Sequence, residues 1–375
     1  MILKIAMFGQ KRIPSREGGV EIVVEELSTR MVKQGHEVTC YNRKGHHVSG
    51  KEYDIEKRET CGAVKIKTVP TIDIKGLAAV SSAFFAALCS AFGQYDVVHI
   101  HAEGPAFFCW IPKVVGKKVV VTIHGLDWSR EKWKNGLGSW FIRQGERNAV
   151  KYADDIIVLS EGVQNYFYKT YGKTTYFIPN GVNKPNVQTT KMITKKFGIL
   201  KDSYILFLGR LVPEKGIRYL IEAFKRTNTD KMLVIAGGSS DTDDFENELK
   251  KMAENDQRII FTGFVQGQIL DELYSNAYIY VLPSDLEGMP LSLLEAMSYG
   301  NCCLVSDIPE CAEVVEDKAL IFKKSDVQDL FEKLQDACEN SEKVMNLKQQ
   351  AAKFISQKYN WDDVVKKTVE LYRKG

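Results

Sequence analysis

The chain has 375 residues, and 44% of them are hydrophobic, which is enough apolar material for about two domains. No low-complexity tract and no repeat of solenoid length occurs in the sequence, so a disordered chain and a repeat protein are excluded. The eight cysteines lack the paired spacing of a zinc site. Residues 1–9 are too short to be a signal peptide and predict a buried first strand. We therefore expect reduced thiols in a cytoplasmic protein.

The charge is distributed unevenly along the chain. Residues 1–185 hold 26 Lys and Arg against 18 Asp and Glu, a net charge of +8, whereas residues 186–375 hold 25 against 30, a net charge of −5. A basic first half indicates an anionic surface partner, and membrane phosphates are the leading candidate. Nucleic acid is not expected, because no binding motif accompanies the charge.

The first half opens with a strand, a basic glycine-containing loop, a helix over Val20–Gln34 and a strand over His36–Tyr41. This order predicts a βαβ unit. Gly18 and Gly19 permit close approach of the backbone to a ligand at the start of the helix. They do not spell the dinucleotide-binding fingerprint, and a pair of glycines is also common in ordinary turns. Residues 76–93 carry no charge and predict a buried helix rather than a membrane span.

Histidines end two predicted strands, Asp96–His101 and Val119–Gly125. Ligands bind at the carboxyl ends of strands in an open parallel sheet, so His99, His101 and His124 are all expected at one cleft rim. The spacing of His99 and His101 would suit a metal, but no third ligand is evident, and packing with hydrogen bonding is the preferred interpretation. His124 is the better functional candidate, because its N–H donor could reach a sugar hydroxyl or a developing charge.

Residues 127–151 mix tryptophans with cations, a pattern typical of a membrane interface or of a site for a phosphate-bearing acceptor. A solvated helix whose tryptophans pack inward is an equally open alternative. Strands over Ile156–Ser160 and Tyr176–Val182 follow, and residues 183–203 predict a polar linker with some helix near 191–197.

In the second half, a strand over Tyr204–Gly209 precedes Arg210, Lys215 and a helix over Ile217–Arg226. Fixed cations beside the free N–H groups of a helix start suit a diphosphate, although a simple charged loop is the alternative. Further strands are predicted over Met232–Gly238 and Ile259–Val265, and backbone groups of Phe264 and Val265 could meet a base. Asp241 and Asp243 match a D-x-D metal spelling, but their Ser- and Asp-rich context favours a solvated turn.

The most informative stretch follows the predicted strand Tyr278–Leu282. Pro290 is expected in the first turn of a helix that ends at Gly300, with Glu287 in the preceding loop and Glu295 inside the helix. The backbone groups that open this helix are those of Gly288, Met289, Pro290 and Leu291. They form an anion site, and the flanking carboxylates suit hydroxyl groups, so a nucleotide sugar fits both. The alternative is an ordinary strand–loop–helix with two solvated glutamates. A final amphipathic helix is predicted over Trp361–Lys374.

These segments resemble a known family. Arg210, Lys215 and Gly216, followed by the Glu287-x₇-Glu295 spacing, resemble the retaining GT-B glycosyltransferases of family four, and the likeness covers nearly the whole chain. Further matching segments are Gly18–Gly19, Thr122–Gly125, Pro179–Val182, Gly209–Arg210, Gly237–Gly238 and Gly263. The segments Lys11–Pro14, Gly18–Glu21 and Gly35–Val38 look like those of the bacterial rhamnosyltransferase-type branch.

The resemblance implies an α/β protein of GT-B fold, with two Rossmann-like domains facing each other across a cleft. The N-terminal domain, residues 1–183 with residues 357–375 crossing back, is expected to bind the acceptor. The C-terminal domain, residues 184–356, is expected to bind the nucleotide sugar.

The resemblance also implies roles for individual residues. Arg210 and Lys215 would neutralise the diphosphate leaving group, Glu287 would hold the donor sugar, and His124 would contact that sugar near the reacting carbon. These four are the catalytic candidates. The remaining donor-binding candidates are Gly18, Gly19, Gly209, Phe264, Val265, Gly288, Met289, Pro290, Leu291 and Glu295, the last of them on the ribose hydroxyls.

Such enzymes need no metal and no cofactor, because the nucleotide-diphosphate sugar is a co-substrate. Retention is expected through same-face attack, with the leaving phosphate taking the acceptor proton. The branch suggests a dTDP-rhamnose donor, with UDP-hexoses as the second choice. The expected acceptor is a saccharide or a lipid-linked saccharide in cell-surface polysaccharide assembly, which would place the protein peripherally on the inner face of the membrane. Alternatives are a sugar-nucleotide epimerase of the same architecture, a phosphorylase and a non-enzymatic binding module.

Overall fold

Two units make up the chain, each built around its own parallel β-sheet. The computed structural model describes residues 1–45, 60–74, 76–129, 136–239 and 244–374. One unit is Met1–Gly181 with Trp361–Gly375, and the other is Val182–Asn360. The boundaries inferred from the sequence fall two residues and four residues from these divisions.

The first unit is centred on strands that are nearly continuous runs of buried β-branched residues, as expected when helices cover both faces of a sheet. Its strands are β1 Lys4–Phe8, β2 Glu37–Arg43, β3 Thr60–Cys61, β4 Val64–Val69, β5 Val97–His101, β6 Lys118–Ile123, β7 Asp155–Val158 and β8 Tyr176–Phe177. Among the described residues their order is β3-β4-β2-β1-β5-β6-β7-β8, parallel throughout except for β3 with β4. The order of the strands reverses direction between β1 and β5, where ligands of such sheets bind.

The helices of the first unit follow the predicted periodicity. They are α1 Gly19–Lys33, α2 Leu77–Phe92, α3 Glu103–Ala106, α4 Trp110–Val114, α5 Leu137–Tyr152, α6 Glu161–Tyr171 and, from the end of the chain, α15 Trp361–Arg373. The uncharged stretch forms α2, which buries its serine and alanine face but leaves Phe84 and Phe92 exposed. No helix in the described ranges is both long enough and apolar enough to span a membrane.

The second unit is a six-stranded, fully parallel sheet of order β11-β10-β9-β12-β13-β14. Its strands are β9 Tyr204–Leu208, β10 Met232–Ala236, β11 Ile259–Gly263, β12 Ile279–Leu282, β13 Cys302–Ser306 and β14 Leu320–Phe322. Its helices are α7 Met192–Phe197, α8 Ile217–Arg226, α9 Asp244–Ala253, α10 Gln268–Asn276, α11 Leu291–Ser298, α12 Pro309–Val315, α13 Val327–Glu339 and α14 Ser341–Lys358. The order reverses between β9 and β12, so their carboxyl ends mark the expected ligand site.

The segment before β9 is not the linker that its polar composition predicted. The Glu272 carboxylate on α10 accepts hydrogen bonds from three successive backbone N–H groups, those of Lys191, Met192 and Ile193, at 2.8–3.0 Å. These N–H groups open α7 and have no partner inside the helix, so a buried carboxylate is a strong cap for them. The segment is therefore docked on the second unit.

Two smaller expectations are also corrected. Helix α11 begins at Leu291, and Pro290 precedes it as the capping residue with ψ of 99° rather than lying in the first turn. The pairing of β3 with β4 was not anticipated, because Lys65, Lys67 and Thr68 interrupt the apolar pattern of an edge strand. The candidate metal spelling at Asp241–Asp243 lies outside the described residues.

The final helix α15 is amphipathic, as predicted, and it belongs to the first unit. The hydroxyl of Tyr372 lies 2.5 Å from Nδ1 of His99 on β5, and both side chains are buried. Lys118 Nζ on β6 donates to the carbonyl of Leu371 at 2.8 Å. Residues at the far end of the sequence therefore supply hydrogen-bond partners to the centre of the first sheet.

We expect Tyr372→Phe to lower the free energy of unfolding by about 1–3 kcal/mol, because it leaves a buried imidazole nitrogen without its partner. Urea unfolding followed by circular dichroism measures the change. Tyr168→Phe is the control, since that side chain is 66% exposed on α6 of the same unit. Equal unfolding midpoints for wild type and Tyr372→Phe would contradict the assigned contact.

Candidate active site

Lys215 and Glu287 meet at the carboxyl ends of β9 and β12. Gly216 has φ of +66°, and a Cβ there would lie 1.9 Å from the carbonyl oxygen of Pro283, so only glycine allows the two loops to approach this closely. Lys215 Nζ lies 2.6 Å from Glu287 Oε1, and the two side chains are 14% and 8% exposed. The reading of Glu287 as a solvated glutamate is therefore wrong.

Two serines fix the position of Glu287, and nothing in the amino-acid pattern pointed to their roles. Ser284 Oγ donates to Glu287 Oε1 at 2.6 Å, and Ser306 Oγ on β13 donates to the carbonyl of Ser284 at 2.5 Å. Both serines are fully buried. Glu287 Oε1 thus accepts two hydrogen bonds, and its Oε2 accepts none from the residues that the structure describes.

Glu295 lies on α11, the helix that follows β12. Strand β12 pairs with β9, the strand that precedes Lys215. Tyr274 OH donates to Glu295 Oε2 at 3.2 Å and to the carbonyl of Ser292 at 3.3 Å. Tyr280 OH on β12 donates to Ser292 Oγ at 2.9 Å, which ties the helix to the strand beneath it. The half-buried carboxylate of Glu295 is therefore held at a fixed height above the sheet.

The remaining predicted donor-site residues line the same edge of this sheet. Gly209 N donates to the carbonyl of Ala236 at 3.0 Å, and Gly237 N donates to that of Gly263 at 2.9 Å, so the exits of β9, β10 and β11 lie side by side. Phe264 and Val265 follow directly on β11. The half-buried guanidinium of Arg210 forms no hydrogen bond or ion pair with other residues in the described ranges. Gly288, Met289, Pro290 and Leu291 lead from Glu287 into α11.

In the first unit, Gly18 and Gly19 lie at the start of α1, as predicted. Gly18 is the capping residue in an extended conformation, and Gly19 begins the helix. The preceding loop is fixed by Glu21, whose Oε1 accepts from Lys11 N at 2.8 Å, and by Asn42, whose side chain bonds both backbone groups of Ile13.

Two of the three histidines are not at a rim. His99 and His101 are fully buried, whereas His124 is half-buried. His99 Nε2 lies 2.7 Å from Thr122 Oγ1, and its ring is 4.1 Å from that of His101. Burial, with a smaller contribution from His124, lowers the pKa of His99 to about 3. In the described ranges no group of three or more His, Cys, Asp or Glu side chains is placed to hold a metal ion.

A buried acidic cluster that the sequence did not reveal lies beyond β5 and β6. Glu103 is fully buried, and its Oε2 accepts from the backbone N–H of Asp127 at 2.8 Å. Neighbouring Glu146 accepts from three donors: Trp128 Nε1 at 3.1 Å, Tyr166 OH at 2.9 Å and Tyr171 OH. Burial, followed by the charges of Asp127 and Glu146, raises the pKa of Glu103 well above its ordinary value. This shift favours the protonated form of Glu103, and its hydrogen bond from the backbone N–H of Asp127 fixes the loop after His124.

Comparison with known proteins supports a glycosyltransferase. The family described as glycosyl transferases group 1 matches residues 190–354, and glycosyltransferase family 4 matches residues 17–184. Each match covers a little under half of the chain, and together they support a glycosyltransferase of GT-B fold. An uncharacterised glycosyltransferase of Methanocaldococcus jannaschii is 26% identical to this transferase over 99% of the chain and 98% of the relative. The Escherichia coli UDP-Gal:alpha-D-GlcNAc-diphosphoundecaprenol alpha-1,3-galactosyltransferase is 28% identical over 57% of the chain and 58% of the relative.

The two Rossmann-like units also match solved GT-B structures. Sucrose-phosphate synthase from Thermosynechococcus elongatus superposes on this transferase with a TM-score of 0.85 at 20% identity, covering 99% of the chain and 98% of that structure. This likeness confirms the predicted fold class.

Replacing Glu103 by Gln is expected to change how stability depends on pH. The native state keeps a proton on Glu103 that the unfolded chain loses above a pKa of 4.5, so wild-type stability falls as the pH rises from there through the native pKa. Gln has no proton to lose and still accepts from Asp127. The stability of Glu103→Gln relative to wild type should therefore increase with pH, by up to about 1.4 kcal/mol per unit.

Urea unfolding at about pH 5, 6.5 and 8 checks this expectation, because these values run from near the ordinary carboxyl pKa to above neutrality. Glu370→Gln, an exposed carboxyl on α15, is the control and should leave the pH dependence unchanged. Parallel pH profiles for wild type and Glu103→Gln would show that Glu103 is ionised in the native protein.

Proposed function

We propose that this transferase moves a hexose or deoxyhexose from a nucleotide-diphosphate sugar to a saccharide or lipid-linked saccharide acceptor. The observation that carries the proposal is the arrangement at the β9–β12 switch point. Two cations, Arg210 and Lys215, and two carboxylates, Glu287 and Glu295, lie on the loops and helix that follow these two adjacent strands. Cations suit a diphosphate and carboxylates suit hydroxyl groups, and a nucleotide sugar carries both.

The geometry supports separate tasks for the two oxygens of Glu287. Oε1 is occupied by Lys215 and Ser284, which fix the carboxylate and keep its charge paired. Oε2 is the atom that we assign to a hydroxyl of the transferred sugar. Lys215 has two further N–H donors, so it can keep its bond to Glu287 while it donates to a phosphate oxygen. The ion pair would thus link recognition of the sugar to neutralisation of the diphosphate.

We further propose a retaining transfer without a metal ion. The bond between the sugar anomeric carbon and the diphosphate oxygen breaks, and the acceptor oxygen bonds to the same face of that carbon. The acceptor proton passes to the leaving diphosphate, which takes over the bonding electrons. Arg210 and Lys215 would stabilise the negative charge that develops on this leaving group, and each well-placed donor is worth roughly 3–4 kcal/mol in such a site. His124 would contact the transferred sugar near the reacting carbon.

A UDP-hexose is the donor that the comparisons favour, because the Escherichia coli relative is by its name a UDP-Gal transferase acting on a diphosphoundecaprenol-linked sugar. A dTDP-rhamnose donor remains a prediction from the opening segments alone. The same relative supports a lipid-diphosphate-linked saccharide as acceptor, in assembly of cell-surface polysaccharide. The family matches favour transfer over the epimerase alternative.

Arg210→Ala and Lys215→Ala should each lower turnover a hundredfold or more, because each removes a cation from the developing charge. Transfer from a panel of UDP- and dTDP-sugars measures turnover, and calorimetry with UDP, with and without a chelator, measures donor-site binding. Arg218→Ala is the matched control, since this α8 arginine forms an exposed ion pair with Glu248. Near-normal turnover in both test variants would rule out the donor site as assigned.

We also propose that the first unit meets an anionic membrane through α5. The exposed residues of this helix are Leu137, Trp140, Arg143, Arg147 and Lys151, and its one acidic residue, Glu146, is buried. Leu137 is 87% exposed and Trp140 is 58% exposed. An apolar start followed by a basic end suits a lipid surface with anionic headgroups. Trp128, by contrast, packs inward against Glu146, as the alternative of inward-packed tryptophans predicted.

Leu137→Glu combined with Trp140→Glu should reduce binding to phosphatidylglycerol-containing vesicles at least tenfold, because both changes place charge in the apolar contact. Sedimentation with vesicles measures binding, and phosphatidylcholine vesicles report the contribution of lipid charge. Tyr168→Glu, on an exposed aromatic of α6, is the control. The cations Arg130, Lys132 and Lys134 lie outside the described residues. Unchanged vesicle binding of the double variant would contradict the proposed membrane contact through α5.

A further inference from the structure

A small cavity lies in the first unit beyond the carboxyl ends of β1 and β2. Gln10, just after β1, and Arg43, the last residue of β2, both line it. It is covered by small residues of α2, which are Ala79, Ser82, Ala83 and Ala86. Its enclosed part has a volume of about 10 Å³, the space of one water-sized group. The cavity can therefore take a single buried oxygen atom.

Gln10 contributes an unused hydrogen-bond acceptor to this cavity. The side chain is only 3% exposed, and its Nε2 donates to the carbonyl of Tyr41 at 3.1 Å. Because a carbonyl cannot donate, this contact fixes which end of the amide is the nitrogen. Oε1 is buried, and no residue in the described ranges donates to it. A hydroxyl group entering the cavity would satisfy this oxygen.

Arg43 contributes a cation that lacks a counter-charge. Its Nε is buried without an acceptor, and its guanidinium forms no ion pair within the part of the chain that the structure describes. The neighbouring Glu21 carboxylate accepts instead from the backbone N–H of Lys11 at 2.8 Å. Burial lowers the pKa of Arg43, and the charge of Glu21 opposes this shift. Buried charges are normally paired in proteins, so this guanidinium lacks a partner that a bound anion would supply.

The backbone around both side chains is fixed by contacts within the first unit. The backbone N–H of Arg43 donates to the carbonyl of Lys11 at 2.6 Å. The side chain of Asn42 bonds both backbone groups of Ile13, at 2.9 and 3.1 Å. The loop after β1 is therefore joined to the end of β2, and a ligand would not have to order it.

One kind of chemical group can satisfy both buried atoms. A hydroxyl oxygen accepts from Arg43 Nε–H and donates its own proton to Gln10 Oε1, so a single oxygen can meet both needs. A water molecule can do the same, but it leaves the guanidinium charge without a counter-charge. Because Arg43 is only half-buried, its other N–H groups can also bond an anion at the mouth of the cavity.

We propose that Gln10 and Arg43 form a binding site for a hydroxylated small molecule that carries a carboxylate or a phosphate. Its hydroxyl enters the cavity, and its anionic group pairs with the guanidinium at the mouth. A sugar acid and a sugar phosphate both have this chemistry. The site belongs wholly to the first unit and does not depend on the function proposed above for the second unit.

Thermal-shift titration of the full chain tests the site with four probes: D-glucuronate, D-glucose 6-phosphate, D-glucose and acetate. We expect at least one of the two sugar anions to raise the melting temperature, and the larger shift identifies the preferred anionic group. Glucose lacks the anion and acetate lacks the hydroxyl, so each should bind at least about tenfold more weakly. If neither sugar anion shifts the wild type, water alone occupies the cavity and the proposal is overturned.

Substitution of Arg43 assigns the binding to this cavity. Arg43→Met should weaken binding of the sugar anion at least about tenfold without lowering the melting temperature of the ligand-free protein, because it removes a charge that has no counter-charge. Arg43→Lys keeps the charge but lacks Nε–H, and should also bind weakly. A merely structural Arg43 would instead show as a lower melting temperature with unchanged probe affinity, which would contradict the proposal.

Two further variants show where the probe binds. Lys44→Met is the matched control, since it removes a charge from the adjacent exposed residue and should bind the probe as the wild type does. Lys215→Ala alters the proposed donor site and should leave the probe-induced shift intact. A loss of affinity in either variant as large as that in Arg43→Met would place the probe elsewhere and overturn the inference.

Discussion

The paired charge of Lys215 and Glu287 is the interaction on which the candidate site of the second unit depends. Two nearly buried charges are costly unless each meets the other at hydrogen-bond distance, and here that distance is 2.6 Å. Neighbouring residues support this pairing. The left-handed Gly216 lets the two loops approach closely. Ser284 donates a hydrogen bond to the carboxylate, and Ser306 donates one to the carbonyl of Ser284. The charges of this candidate site are therefore fixed by contacts within the protein itself.

At the end of its sheet, the first unit differs from the second because burial there favours neutral side chains rather than paired charges. Burial favours the neutral forms of its histidines and of the Glu103 carboxyl, so this region favours hydrogen-bond donors and acceptors over charges. Neutral donors suit recognition of hydroxyl groups, and the fixed cations of the second unit suit phosphate.

The elements of the fold, and the placement of the candidate-site residues on them, were predictable wherever the information is local in sequence. Runs of apolar residues predicted the strands, and the spacing of Glu287 and Glu295 predicted that both carboxylates flank a helix start. What was not predictable depends on register between distant segments. His101 contacts His124 only because β5 and β6 pair as they do, and Ser306 contacts Ser284 only because β13 pairs with β12. The capping of α7 by Glu272 was not predictable for the same reason, because 79 residues separate that carboxylate from Ile193.

The place of α15 has a consequence for how the protein is made. Because Trp361–Gly375 belongs to the first unit, the whole second unit is inserted into the first. During synthesis the second unit is complete before the ribosome has made Tyr372, the hydrogen-bond partner of His99. His99, at the centre of the first sheet, therefore lacks this hydrogen-bond partner until the second unit has been synthesised. Closure of the first unit is thus a late event in biogenesis, and a chain interrupted before α15 lacks it.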